Sequence, residues 1–84
     1  MNTVELESRV LKIISPFCKN QEALKAISPK TRILEDLGVN SARLVDIILA
    51  FEDEFGIAVD DAAADRVRTY GDAVSMINQK ISNA

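Results

Sequence analysis

Histidine is absent from this 84-residue chain, and cysteine occurs once, at Cys18. Three kinds of chemistry are excluded by that shortage. No disulfide can close within the chain, no Cys/His zinc site can be assembled from it, and no serine in it can find an imidazole base. Cys18 itself reads as a small buried hydrophobe, with a reactive thiol as the alternative. Glycine (3) and proline (2) are scarce while hydrophobic residues make up 48% of the chain, a balance too apolar for disorder. No apolar run approaches the ~20 residues that cross a bilayer. Glu5 and Glu7 arrive too early for a secretory signal. The expectation is a cytoplasmic protein without membrane insertion. At this length residues 1–84 make one domain, too small to enclose a separate catalytic cavity.

Basic residues are almost missing from the middle of the chain. From Glu35 to Asp65 there are nine acidic residues and a single base, Arg43, whereas the flanks together hold four acids and nine bases. Such a stretch repels nucleic-acid phosphates and attracts basic protein surfaces, chiefly by raising encounter rates. A solvated face kept acidic for solubility accounts for the same asymmetry.

Apolar periodicity is helical throughout. Residues 2–17 predict a first helix with Asn2 and Glu5 as a capping box, Leu6, Val10, Ile13, Ile14 and Phe17 on one face, and a stop or kink at Pro16. Residues 18–40 form a long, partly ordered loop. In it Gln21–Ile27 makes a short turn, Thr31 caps another, and Ile33, Leu34 and Leu37 plug the core. Asn40 or Ser41 caps a second helix over 42–55, with Leu44, Val45, Ile48, Phe51 and Phe55 as its buried stripe and Gly56 as its stop. Its late acids oppose the helix dipole by a few tenths of a kcal/mol each, roughly, so helix stability alone does not account for them. Asp60 caps a short third helix over 61–65. Thr69 and Asp72 open a last helix over 70–81, where Gly71 in the first turn costs little and residues 82–84 fray. The fold class is all-α: a small four-helix bundle with three longer helices, one short third helix and a long first loop.

Chemistry centres on Ser41, which follows the turn at Gly38. As a nucleophile it lacks a base. A second reading is a helix cap. The third is a hydroxyl presented at a helix start for another protein to modify, where backbone N–H groups and the dipole favour a phosphate ester. The acids around Phe51–Gly56 lack the order of an EF-hand loop, so no metal site is expected.

The segments Asp36-Leu37-Gly38-Val39-Asn40-Ser41, Leu44-Val45-Asp46 and Phe51-Glu52-Asp53-Glu54-Phe55-Gly56-Ile57 resemble the acyl carrier protein family. Its usual pattern is Asp-Leu-Gly-x-Asp-Ser-Leu before an acid-flanked apolar helix. The likeness covers nearly the whole chain. It implies that a phosphopantetheinyl transferase attaches 4'-phosphopantetheine to Ser41, and that an acyl or aminoacyl group rides on the arm as a thioester. It implies no catalysis and a monomer. Loading ligases or synthases with basic patches would dock at Asn40, Ala42, Arg43, Asp46, Glu52 and Asp53. The cargo pocket would include Val45, Ile48, Ile57 and Val59. Asn40, Ala42 and Arg43 depart from the usual Asp, Leu and neutral-to-acidic residues, which points to a specialised carrier with dedicated partners. The alternative is a non-carrying acidic adaptor of the same fold that binds and regulates an enzyme.

Overall fold

Among the described residues, each α-helix begins on a side chain that caps it. Asn2 Oδ1 accepts from the Glu5 N–H at 2.8 Å, Asn20 Oδ1 from Ala23 at 3.1 Å, Asn40 Oδ1 from Ala42 at 2.9 Å, and Asp60 Oδ1 from Ala63 at 2.8 Å. Thr69 Oγ1 accepts from the Asp72 N–H while Asp72 Oδ2 accepts from the Thr69 N–H, both at 3.1 Å, a reciprocal capping box. Each cap contributes about 1 kcal/mol. The computed structural model describes residues 2–82. It contains α1 (Thr3–Ile14), a 3₁₀ turn (Ser15–Phe17), α2 (Gln21–Lys25), α3 (Ser41–Phe55), α4 (Asp61–Asp65) and α5 (Tyr70–Ser82). Asn83 and Ala84, where fraying was expected, lie outside the described residues. Pro16 sits in the 3₁₀ turn, where its missing N–H costs nothing, so α1 stops short of it.

The core joins Leu6, Val10 and Ile14 of α1, Ile33, Leu37 and Val39 of the loop before α3, Ile47, Ile48 and Phe51 of α3, and Val67, Tyr70, Ala73 and Ile77 at the C-terminal end. Each large side chain fully buried there contributes roughly 1.5–3 kcal/mol. Cys18 is buried among them, its thiol donating to the Ile14 carbonyl at 3.2 Å, and burial pushes its pKa up. The Tyr70 hydroxyl, donating to the Glu7 carbonyl at 3.4 Å, is pushed up to about 12, mainly by burial and then by the Glu7 charge.

Three expectations change here. The buried stripe of α3 is rotated: Ile47 is fully buried, Leu44 and Phe55 are half-buried, and Val45 is 61% exposed. The run Val45–Phe51 is apolar except for Asp46, so periodicity alone leaves its phase open by a residue. Thr31 is buried and caps nothing downstream. Its Oγ1 accepts from the Ser28 N–H at 2.8 Å, and the turn after it is closed by Asp36, whose Oδ2 accepts from the Arg32 N–H at 2.8 Å. That bond, with the Arg32 guanidinium beside it, holds the Asp36 carboxyl below the usual carboxylate range. Gly71, finally, is a packing requirement. The loop strand beginning at Pro29 lies against the start of α5 through Gly71 N–H to Pro29 O (3.0 Å), Tyr70 N–H to Thr31 O (2.9 Å) and Ile33 N–H to Arg68 O (3.0 Å). A Cβ at residue 71 would stand 2.7 Å from the Pro29 carbonyl oxygen. These clamps fix the long loop, and the loop delivers Gly38 and Ser41 to their place.

Candidate functional site

Gly38 takes φ +69°, and a Cβ there would press on Lys19 Cβ at 3.3 Å, so the turn before the serine suits glycine on both counts. Asn20 braces the same turn, its N–H donating to Leu37 O at 3.1 Å and its side-chain amide to Asp36 O at 3.1 Å. Two residues on, Asn40 is extended and supplies the cap of α3. Ser41 is therefore released from capping. It is the first residue of a 15-residue helix, it is exposed, and its hydroxyl makes no hydrogen bond among the described residues. The N–H groups of Ala42, Arg43 and Leu44 already donate to Asn40, so the helix dipole and the Ser41 N–H, which has no acceptor among the described residues, are what favour an anion there, by about 0.3–1 kcal/mol.

At about 100° per residue, Ser41, Leu44, Val45, Ile48, Leu49 and Glu52 share one flank of α3. These six line one side of a groove of about 370 Å³, and Val59, Asp61, Ala64 and Asp65 line the other. That volume falls within the roughly 300–1,000 Å³ of small-molecule clefts. Most of the lining is apolar, and Val45 and Leu49, 61% and 56% exposed, leave it open to the surface. Of the residues expected around a cargo, Val45, Ile48 and Val59 come together in this groove. Ile57 is not part of its lining; it is half-buried against the core, directly after the left-handed Gly56 (φ +62°). Leu44, Ala64 and the α4 acids had not been expected, since their contribution depends on how α4 lies across α3. A larger groove of about 520 Å³ begins on the far side of Leu44, lined also by Arg32, Leu34, Val67 and Arg68, and Ser41 is not part of it.

The residues expected to dock partners separate into four groups. Asn40 is the cap, while exposed Ala42 and Asp53 have neither ion pair nor side-chain hydrogen bond among the described residues. Arg43 and Asp46 pair with each other at 3.2 Å, so the helix end nearest Ser41 carries no net side-chain charge. Glu52 is turned into the groove, its Oε2 accepting from the Val59 N–H at 2.9 Å. Glu54, another late acid, reaches Arg9 of α1 at 3.6 Å. Two of the late acids of α3 thus have structural partners that offset their position against the dipole.

The phosphopantetheine attachment site family matches residues 8–77 of the chain. An acyl carrier protein of Thermotoga maritima is 39% identical over 77 residues, spanning 92% of this chain and 93% of that one. A mitochondrial protein of Schizosaccharomyces pombe classed with the acyl carrier proteins is 37% identical over 75 residues, spanning 89% of this chain but 66% of the relative's length. Among solved structures, the acyl carrier protein of Enterococcus faecalis superimposes with a TM-score of 0.77 at 31% identity over the full length of both chains. Ser41 lies within the matched residues, exposed at the start of α3 and on the lining of the apolar groove. By sequence and by fold, the chain belongs to the acyl carrier protein family, whose members carry cargo and do not themselves catalyse its chemistry.

Proposed function

We propose that Ser41 receives a 4'-phosphopantetheine arm from a phosphopantetheinyl transferase, and that residues 1–84 act as one monomeric domain carrying an acyl or aminoacyl group for biosynthetic partner enzymes. The observation that carries this reading is the division of labour at the start of α3. Asn40 caps the helix through its bond to Ala42, which leaves the exposed Ser41 oxygen free to be esterified. The arm supplies a terminal thiol on which the cargo is held as a thioester. The chain's own residues do the rest. The first turn of α3 stabilises the phosphate charge, and Leu44, Val45, Ile48, Leu49, Val59 and Ala64 shelter an apolar cargo from water. No base in this chain activates Ser41, so the transferase must supply it.

The surface around the serine supports a dedicated set of partners. The Arg43–Asp46 pair and the neutral Asn40 leave that end of α3 uncharged, while Asp53, Asp61 and Asp65 remain exposed and without ion pairs among the described residues. Enzymes that fit would present an apolar surface near Ser41, toward Val45 and Leu49, and place their cations farther along, toward Asp53 and α4. Ten residues separate Arg43 from Asp53, about 15 Å along the helix axis. Incubation with coenzyme A and a panel of transferases should add the mass of one phosphopantetheinyl group to the wild-type chain and none to Ser41→Ala. The absence of any addition under transferases active on other carriers rejects the reading. The same neutral end favours one alternative, a non-carrying adaptor. It would be recognised by an unmodified Ser41 in protein from the natural host, held in a stable enzyme complex.

A further inference from the structure

We propose that Glu52 is a positioning residue that holds the outer wall of the Ser41 groove, and that a partner guanidinium engaging its carboxylate loosens that wall. The second half rests on the carrier reading above; the first does not. Among the described residues, the Glu52 carboxylate is the one group that ties the stretch 58–67 to the rest of the chain by a hydrogen bond or ion pair. The other hydrogen bonds of that stretch run within it. Asp60 accepts from Ala63 and Ala64, and the N–H groups of Arg66 and Val67 return to Ala63 and Ala64. What else holds it is apolar contact through Val59, Ala64 and the buried Val67. Such contact is non-directional and tolerates sliding, whereas a charged acceptor 2.9 Å from one particular N–H fixes the register of the wall.

Glu52 anchors the segment twice. Its backbone carbonyl accepts the N–H of Gly56, which closes α3 in the left-handed conformation, and that of Ile57 at 3.2 Å. Its side chain then reaches seven residues along to Val59. Because the carboxylate is only half-buried and lies in the open groove, an incoming guanidinium can bind it bidentately and compete with the Val59 N–H. Its neighbour Asp53 is exposed, lies about 100° away around the helix, and forms no such bond among the described residues. One carboxylate therefore couples partner contact to the width of the groove, and the adjacent one does not.

Amide hydrogen exchange on the unmodified chain, read by NMR, tests both halves. Glu52→Ala should speed exchange at Val59 about 10- to 100-fold relative to Ile77 in the core, the loss expected for a hydrogen bond to a charged group. Glu52→Gln keeps an acceptor without the charge and should stay within about 5-fold of wild type, and Asp53→Ala should leave the ratio unchanged. Adding hexa-arginine at low salt should speed Val59 exchange in the wild-type chain but not in Glu52→Gln. If Glu52→Ala fails to fold, Glu52→Asp carries the test, because its side chain is one methylene shorter and withdraws the acceptor from the Val59 N–H while keeping the charge. An unchanged Val59-to-Ile77 ratio in Glu52→Ala, or in Glu52→Asp where that variant carries the test, overturns the positioning role. A wild-type chain indifferent to hexa-arginine overturns the coupling. Neither result depends on whether Ser41 is ever modified, which the mass measurement decides separately.

Discussion

Replacing Gly71 by alanine sets two known effects against each other. Alanine in a helix is favoured over glycine by about 1 kcal/mol, and Gly71 has no left-handed φ that a side chain would strain, so local reasoning predicts a slight gain. The tertiary structure predicts the opposite. A Cβ at residue 71 would lie 2.7 Å from Pro29 O, 3.0 Å from Pro29 Cβ and 3.2 Å from Pro29 Cα. The nearest of these atoms is backbone, so relief requires the loop to move away from α5. Overpacking of that kind costs roughly 1–3 kcal/mol. Moving the loop also stretches the 3.0 Å bond from the Gly71 N–H to Pro29 O, a first-turn donor with no partner inside its own helix, for about another 0.5–1.5 kcal/mol. After subtracting the propensity gain, the net loss is about 0.5–3.5 kcal/mol. For a domain of this size each kcal/mol lowers Tm by about 4–8 °C, so thermal unfolding followed by circular dichroism should show a drop of about 2–28 °C. Gly71→Ala with an unchanged or raised Tm would refute the steric account and place the loop's attachment elsewhere.

Two further outcomes follow from named contacts. Asp36 is held below its ordinary pKa by the Arg32 N–H and guanidinium, so its contribution to stability is present above the unfolded carboxylate range, about pH 4, and is lost as pH falls through the lower folded value. Acid unfolding should therefore begin at higher pH in Arg32→Ala, which keeps the backbone N–H but loses the guanidinium, than in wild type, and Asp36→Asn should flatten the dependence of Tm on pH below about 4; identical acid profiles would contradict the assignment. Arg43→Ala frees Asp46 from its 3.2 Å pair, and loading by a transferase with a cationic docking face should rise about 2- to 5-fold in kcat/KM at low salt, shrinking as salt is raised. A response independent of salt would show that Arg43 acts by something other than its charge.

Local signals in the sequence carried most of the fold. Asn2, Asp60 and the Thr69–Asp72 pair announce helix starts because a cap involves side chains and backbone within three residues of each other. The turn at Gly38 and the cap at Asn40 that set the position of Ser41 are legible for the same reason, since all three lie within four residues. What escaped the sequence is non-local. Gly71 looked inexpensive because Pro29, the atom group it must admit, is far away in the chain. The late acids of α3 looked unfavourable because Val59 and Arg9, their partners, come from other segments. Ile47 and Val45 exchanged roles because an almost unbroken apolar run does not mark which flank faces inward, and only the packing of α1 and α5 against α3 decides it. Ile57 was placed in the groove by its nearness to Val59, and it packs against the core instead, directly after the left-handed Gly56.

The central claim is that Ser41 is an attachment point made available by Asn40. Its most direct test is peptide-level mass spectrometry of the protein isolated from its host. A phosphopantetheinyl group on the peptide containing Ser41, with or without its cargo, is the predicted result. A Ser41 peptide that is entirely unmodified in actively growing cells, and that stays so when transferases competent on related carriers are supplied with coenzyme A, would contradict it.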